Sequence, residues 1–78
     1  MSTINYKVAE IFKTNIDNSD TAELIIKQLK EILPRAKINF DLHDCDKILR
    51  IEATPCEIDI QAIINCVHKW NILIEVLL

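Results

Sequence analysis

Residues 11–24 constrain the fold of this 78-residue chain more than any other segment. The segment opens with β-branched and aromatic residues that favour a half-buried strand. It then passes through four polar residues, 17–20, whose side-chain oxygens favour a turn. Asp20 and Glu23 have the spacing of a capping box, which predicts a helix that begins at Asp20. The segment therefore predicts a strand, a turn and a helix in direct succession.

Hydrophobic periodicity predicts the remaining elements. Strands are expected over residues 5–16, 36–42, 47–53 and 72–78, and the first helix over residues 20–33. Thr54, Pro55 and Glu57 predict the start of a second helix, with Thr54 as its N-cap. Because the chain contains no glycine, positive φ angles are expected at Asn or Asp, and Asn71 fits the left-handed position that stops this helix.

The order βαββαβ predicts the ferredoxin-like sandwich, an α+β fold. Its four-stranded antiparallel sheet has the order 4-1-3-2 and carries both helices on one face. At this length, residues 1–78 are expected to form a single domain. The strand residues expected to face the core are Val8, Phe12, Thr14, Ile16, Ile38, Phe40, Leu42, Leu49, Ile51, Ala53, Ile72, Ile74 and Val76. The buried helix stripes are expected to be Ala22, Ile25, Ile26, Leu29, Ile32 and Leu33, and Ile60, Ile63, Ile64, Val67 and Trp70.

Charge and composition exclude several classes of function. The net charge is −3 and the basic residues are scattered, so the sequence predicts neither a nucleic-acid interface nor attraction to an anionic membrane. No apolar run approaches the ~18 residues of a membrane span, and residues 1–7 lack the apolar run of a signal peptide. Cys45, Cys56 and Cys66 are odd in number and widely spaced, which does not favour a disulfide framework. These features predict a cytoplasmic protein.

Three features of the sequence carry a resemblance to a known family. One is the link Leu33-Pro34-Arg35-Ala36 between the first helix and the second strand, another is the hairpin over residues 41–52, and the third is Asn71. With these features the chain resembles the heavy-metal-associated domain, which is found in copper chaperones and metal-transporting ATPases and usually has glycine at the position of Asn71. The resemblance covers almost the whole chain and implies the ferredoxin-like fold.

The metal-binding motif of that family, M-x-C-x-x-C, is degenerate in this sequence. The resemblance aligns Ile16 with the methionine, Asn18 with the first cysteine and Thr21 with the second. Copper(I) prefers soft thiolate ligands, which an amide and a hydroxyl cannot replace. Ile72 stands where the family often has a Lys, Tyr or Phe that covers the metal. The resemblance therefore implies the scaffold, and we expect no metal at this loop and no cofactor.

A relocated metal site is the alternative. His43 and Cys45 lie in the hairpin link, at the sheet end that also carries the degenerate loop, and Cys66 could supply a third ligand for copper or zinc. The competing interpretation is that these are ordinary hairpin and core residues. Asp17, Asp20, Asp44 and Asp46 make the same end acidic, but they have no known cation-loop spacing, and turn formation and solvation explain them. His43 and Cys45 lack a third catalytic group, so we expect no enzymatic activity.

The sheet face opposite the helices is the predicted interaction surface. Its apolar residues, interleaved with charged ones, are Ala9, Ile11, Ile48, Leu73 and Leu77. The last strand lies at an edge of the sheet and is apolar, so edge pairing is a second route to association. The sequence therefore favours a protein-interaction or regulatory domain that binds a protein partner or forms a homodimer through the open face or the last strand. The alternative is a metal-binding or metal-transfer protein that uses His43, Cys45 and Cys66.

Overall fold

Strands and helices follow one another in the order βαββαβ. The structure, a computed structural model, describes residues 6–77. Its elements are β1 (Val8–Thr14), α1 (Ser19–Ile32), β2 (Lys37–Asp41), β3 (Ile48–Ala53), a 3₁₀ turn (Pro55–Glu57), α2 (Ile60–His68) and β4 (Ile74–Val76). The outer ends predicted for the first and last strands, residues 5 and 78, lie outside the described residues. Neither helix in residues 6–77 is long and apolar enough to cross a membrane.

The four strands form one antiparallel sheet with the order β2-β3-β1-β4, which is 4-1-3-2 counted from the β4 edge. Phe12, Leu49 and Ile51 are fully buried and belong to the same cluster as the buried residues of both helices. Both helices therefore pack on the sheet face that carries these three side chains, and the predicted fold class is confirmed. The opposite face is left open.

The second helix does not begin where the sequence predicts. The Thr54 hydroxyl donates to the Glu57 carboxylate over 2.6 Å, and this pair closes the 3₁₀ turn. Ile58 then adopts an extended conformation and packs against the core. α2 begins only at Ile60, after Asp59, whose Oδ1 accepts from the Ala62 N–H over 3.1 Å. The predicted N-cap at Thr54 is therefore wrong for α2, because the Thr54–Glu57 capping box closes the 3₁₀ turn, Ile58 is extended, and Asp59 caps the helix that follows.

Two residues have positive φ angles in the described chain. Asn71, with φ 59°, confirms the predicted left-handed stop after α2. Lys47, with φ 48°, shows that the expectation of Asn or Asp alone is wrong. The left-handed conformation of a residue with a Cβ costs about 1–2 kcal/mol. Hydrogen bonds offset this cost, because the Lys47 Nζ donates to the Leu42 carbonyl over 3.0 Å and the Lys47 carbonyl accepts from the Thr14 hydroxyl over 2.6 Å.

Candidate functional site

The turn between β1 and α1 is organised by Asn18. Its backbone is extended (φ −128°, ψ 121°), and its Oδ1 accepts from the N–H groups of Asp20 (2.8 Å) and Thr21 (3.2 Å). Asn18 is therefore the N-cap of α1, and the capping box predicted from Asp20 and Glu23 is wrong. The reason is that the helix begins one residue earlier than predicted, at Ser19, so Asp20 already lies within its first turn.

The three positions that the resemblance aligns with the metal motif do not fit a copper ion. Ile16 is buried in the core, where it supplies no donor atom. The side-chain oxygen of Asn18 is engaged by two backbone N–H groups, and Thr21 offers a hydroxyl. Hard oxygen atoms of this kind do not provide the soft thiolates that copper(I) prefers. This turn is built to start a helix.

The hairpin link between β2 and β3 packs against the end of β1. The Thr14 N–H donates to the carbonyl of Asp46 over 3.0 Å, in addition to the bond from its hydroxyl to Lys47. Asp41 and Asp44 each accept a backbone N–H two residues further on, over 3.1 and 2.8 Å. The two carboxylates therefore stabilise the turn itself. The predicted grouping of this link with the β1–α1 turn at one end of the sheet is consistent with these contacts.

The proposed ligands of a relocated site lie in different surroundings. His43 and Cys45 are exposed in the hairpin link, whereas Cys66 is buried on α2, where its Sγ lies 3.8 Å from the Gln28 Oε1 of α1. Burial raises the pKa of the Cys66 thiol, which disfavours the thiolate that a metal would bind. Gln28 also accepts from the Trp70 indole N–H over 3.0 Å, so this cluster ties the two helices together.

One group of potential ligands does converge within residues 6–77. Asp44, Cys45 and Asp46 each offer one ligand atom within 4.8 Å of the others. Cys45 and Asp44 are exposed and Asp46 lies 3.7 Å from the Lys13 ammonium. His43 and Cys66 are outside this group, so the structure does not bring the predicted trio His43, Cys45 and Cys66 together. The remaining acidic residues, Asp17 and Asp20, lie in the β1–α1 turn and do not join it either.

The open face carries the predicted apolar residues in neighbouring positions. Ile11 on β1 lies opposite Arg50 on β3, and its carbonyl accepts from the Leu77 N–H over 2.8 Å on the other side. Ile48 lies opposite Lys13 in the next row. Ala9 and Leu77 are exposed, Ile11 and Ile48 are half-buried, and Leu73 is 69% exposed. Together Ala9, Ile11, Ile48, Leu73 and Leu77 form what we call the open-face patch.

Charged residues of both signs interleave with the open-face patch: Arg50 lies opposite Ile11, and Lys13 lies opposite Ile48. Arg50 donates to Glu52 over 3.3 Å, and Lys13 lies beside Glu75 in the register of β1 and β4. Apolar residues exposed among charges of both signs are compatible with a surface that binds protein.

Asn15 is a structural residue that the sequence interpretation missed. Its Oδ1 accepts from the Leu73 N–H over 2.9 Å and so holds the start of β4 against the end of β1. Beside this contact a groove of about 320 Å³ is lined by Lys13, Thr14, Asn15, His68, Leu73, Ile74 and Glu75. An amide residue directly after a strand is the sequence signal that could have indicated this role.

Comparison of this chain with protein-family models, with curated proteins and with solved structures found no match. The β1–α1 turn and the open-face patch are the two features of the chain that bear most on its function.

Proposed function

We propose that this chain is a non-enzymatic, cytoplasmic protein-interaction or regulatory domain, built on a scaffold like that of the heavy-metal-associated domain but without its metal ligands. The observation that carries the proposal is the open-face patch. Ala9 and Ile11 on β1 and Ile48 on β3 lie on the sheet face that neither helix covers, and Leu73 and Leu77 flank β4. Several exposed apolar side chains on one uncovered sheet face favour binding to another protein.

The β1–α1 turn supports the part of the proposal that concerns metal. The Asn18 side-chain oxygen accepts hydrogen bonds from the first turn of α1, and the Ile16 side chain is buried in the core. Both positions therefore contribute to the stability of the scaffold. A β1–α1 turn whose side chains stabilise the fold, and offer no soft metal ligand, supports a function that does not depend on metal at this turn.

The state of the cysteines supports the proposed location. Cys45, Cys56 and Cys66 are all free thiols, and two of them are exposed. Exposed free thiols persist in a reducing compartment, which is what the cytoplasm provides.

Native mass spectrometry with added copper(I) tests the absence of a metal cargo. We expect no stoichiometric complex that survives a thiol competitor, and such a complex would contradict the proposal. A variant in which Asn18→Cys and Thr21→Cys are combined is the positive control. On a heavy-metal-associated scaffold we expect this variant to bind one copper ion, because it supplies two thiolates at the aligned positions. If the wild type binds copper, Cys45→Ser shows whether the relocated ligands are responsible.

Affinity capture from the source cell tests the interaction surface. Ile48→Glu places a charge in the open-face patch, and Leu24→Glu makes the same change at a 47% exposed position on α1, away from the patch. We expect a specific partner, or a second copy of the chain, to be lost with Ile48→Glu and retained with Leu24→Glu. Equal recovery with both variants, or loss with Leu24→Glu alone, would show that the open face is not the binding surface.

A further inference from the structure

Within residues 6–77, the outer edge of β4 carries backbone groups that have no partner strand. The Leu77 N–H donates to the Ile11 carbonyl, so Ile11 and Leu77 form a hydrogen-bonded pair of the antiparallel ladder. Hydrogen-bonded and non-hydrogen-bonded pairs alternate along such a ladder, which makes Thr14–Ile74 a non-hydrogen-bonded pair. The Thr14 N–H agrees with this, because it points the other way, to Asp46. The N–H and C=O groups of Ile74 and Val76 therefore point away from β1, toward the free edge.

The apolar side chains at this edge are less buried than their position in the fold predicts. Ile74 and Val76 point to the same face as Phe12, yet they are only half-buried whereas Phe12 is fully buried. On α2, Ile60 is 37% exposed although the sequence places it in the buried stripe, and Ile64, one turn further on, is half-buried. The helical layer ends before it covers β4 completely. The β4 edge therefore combines unpaired backbone groups with uncovered apolar side chains.

We propose that a second copy of this chain occupies the β4 edge, its β4 strand pairing antiparallel with the first. The pairing extends the four-stranded sheet into one continuous sheet of eight strands, four from each copy. The inference rests on the proposed function, because Leu73 and Leu77 of the open-face patch flank this edge. It specifies the protein partner as a second copy of the chain. The two-fold axis passes beside Ile74, so that the backbone N–H and C=O groups of Ile74 in one copy form hydrogen bonds with those of Ile74 in the other.

Charge distinguishes this register from the neighbouring one with its axis at Glu75. A two-fold axis at Ile74 pairs Leu73 of each copy with Glu75 of the other, as non-hydrogen-bonded pairs whose side chains are close. A two-fold axis at Glu75 would place two carboxylates directly opposite each other, which is destabilising. The register at Ile74 also pairs Ile72 with Val76 of the other copy, which gives three hydrogen-bonded pairs.

The low charge of β4 permits contact with a second copy. Two copies that each carry a net charge of −3 repel each other at long range, so they can associate only through a part of the surface that is poor in charge. The β4 strand offers such a surface, because Glu75 is its one charged residue and the register places that carboxylate against Leu73. Proline and lysine, which protect many edge strands, are absent from β4.

Light scattering coupled to size exclusion, over a range of concentrations, tests the proposal. We expect the wild type to reach twice the chain mass of 9.0 kDa as its concentration rises. Leu73→Glu creates two like-charge pairs across the axis and is expected to weaken the dimer roughly tenfold or more, whereas Leu73→Lys creates two opposite-charge pairs and is expected to preserve it. Leu73 is 69% exposed, so neither substitution removes core packing. Asn39→Glu and Asn39→Lys, at an exposed position on β2, control for the change in net charge.

Amide hydrogen exchange measured by NMR tests the hydrogen bonds directly. The N–H groups of Ile74 and Val76 are expected to exchange fast in dilute protein and slowly at concentrations where the dimer forms. The N–H of Glu75, which the ladder directs toward β1, is expected to show little dependence on concentration. Protection of Ile74 and Val76 that does not change with concentration would overturn the proposal.

The other outcomes separate this inference from the proposed function. A wild type that stays at 9.0 kDa overturns the second copy, and the proposed function then still stands if Ile48→Glu abolishes capture of another protein. A dimer that resists Leu73→Glu and dissociates with Ile48→Glu uses the open face, which also overturns the edge pairing and keeps the proposed function. If Leu73→Glu and Leu73→Lys weaken the dimer equally, the register with its two-fold axis at Ile74 is wrong. If the Ile74 N–H exchanges slowly only when another protein is added, that protein and not a second copy pairs with the β4 edge, and the proposal is overturned.

Discussion

Asn18→Ala is the substitution that most directly tests how the β1–α1 turn is built. It removes the side-chain oxygen that accepts from the N–H groups of Asp20 and Thr21 over 2.8 and 3.2 Å. Replacement of an N-cap by alanine costs about 1 kcal/mol, within a range of roughly 0.5–2 kcal/mol. Both bonds are exposed, so water satisfies the freed N–H groups in part, and a loss of about 1 kcal/mol is the value we expect.

The consequence for stability is measurable because the domain is small. A chain of this size has a total free energy of unfolding of roughly 4–12 kcal/mol, so 1 kcal/mol is a sizeable fraction of it. It corresponds to a fall in Tm of about 4–8 °C. Thermal unfolding followed by far-UV circular dichroism, together with urea titration at constant m-value, measures the loss.

Two further substitutions separate capping from other effects. Asn18→Asp keeps the acceptor and adds a negative charge at the helix N-terminus, so we expect a Tm equal to or above that of the wild type. Asp20→Ala removes a charge from the first turn and no cap, so we expect it to cost less than Asn18→Ala. A larger loss from Asp20→Ala than from Asn18→Ala would refute the capping role of Asn18 and restore the capping box that the sequence suggests.

Two other predictions concern ionisable groups. The Thr54 hydroxyl donates to the Glu57 carboxylate and holds the pKa of that carboxyl below its usual range. The carboxylate therefore stabilises the fold at pH values above the pKa that Glu57 has in the unfolded chain. This stabilisation is lost as the pH falls through the pKa that Glu57 has in the folded chain. We expect Glu57→Gln to lower Tm at neutral pH and the difference from the wild type to shrink as the pH falls below the usual pKa of a glutamate. A difference that is constant with pH would contradict this. Cys45 and Cys56 are exposed and are expected to react quickly with a thiol reagent, whereas Cys66 is buried with a raised pKa and should react only as fast as the fold opens. Equal rates for all three thiols in folded protein would show that Cys66 is not buried.

Much of the fold could be predicted from local patterns. The alternation of Leu49, Ile51 and Ala53 predicts the buried face of β3, and all three are buried. The left-handed stop at Asn71 was also predictable, because a chain without glycine has few residues that adopt positive φ at low cost. Lys47 could not be predicted in the same way, since its conformation depends on bonds to Leu42 and Thr14, the latter 33 residues away.

The candidate site was predictable only in part. The residues of the open-face patch follow from strand alternation, and the pairing of Ile11 with Leu77 shows how two of them come together. The trio of a relocated metal site was a weaker prediction, because sequence spacing could not show that Cys66 turns inward to Gln28 while Cys45 stays exposed. Distances between distant segments depend on how the helices lie on the sheet.

By itself the sequence determined the order of the elements and the face that each strand buries, because both depend on the spacing of apolar residues along a regular backbone. Only the tertiary structure decided which of two nearby polar residues in the sequence caps each helix. Asn18 replaced Asp20 in α1, and Asp59 replaced Thr54 in α2. A cap depends on which backbone N–H groups remain unpaired after the chain has packed, and packing also left the β4 edge uncovered, where the helical layer ends.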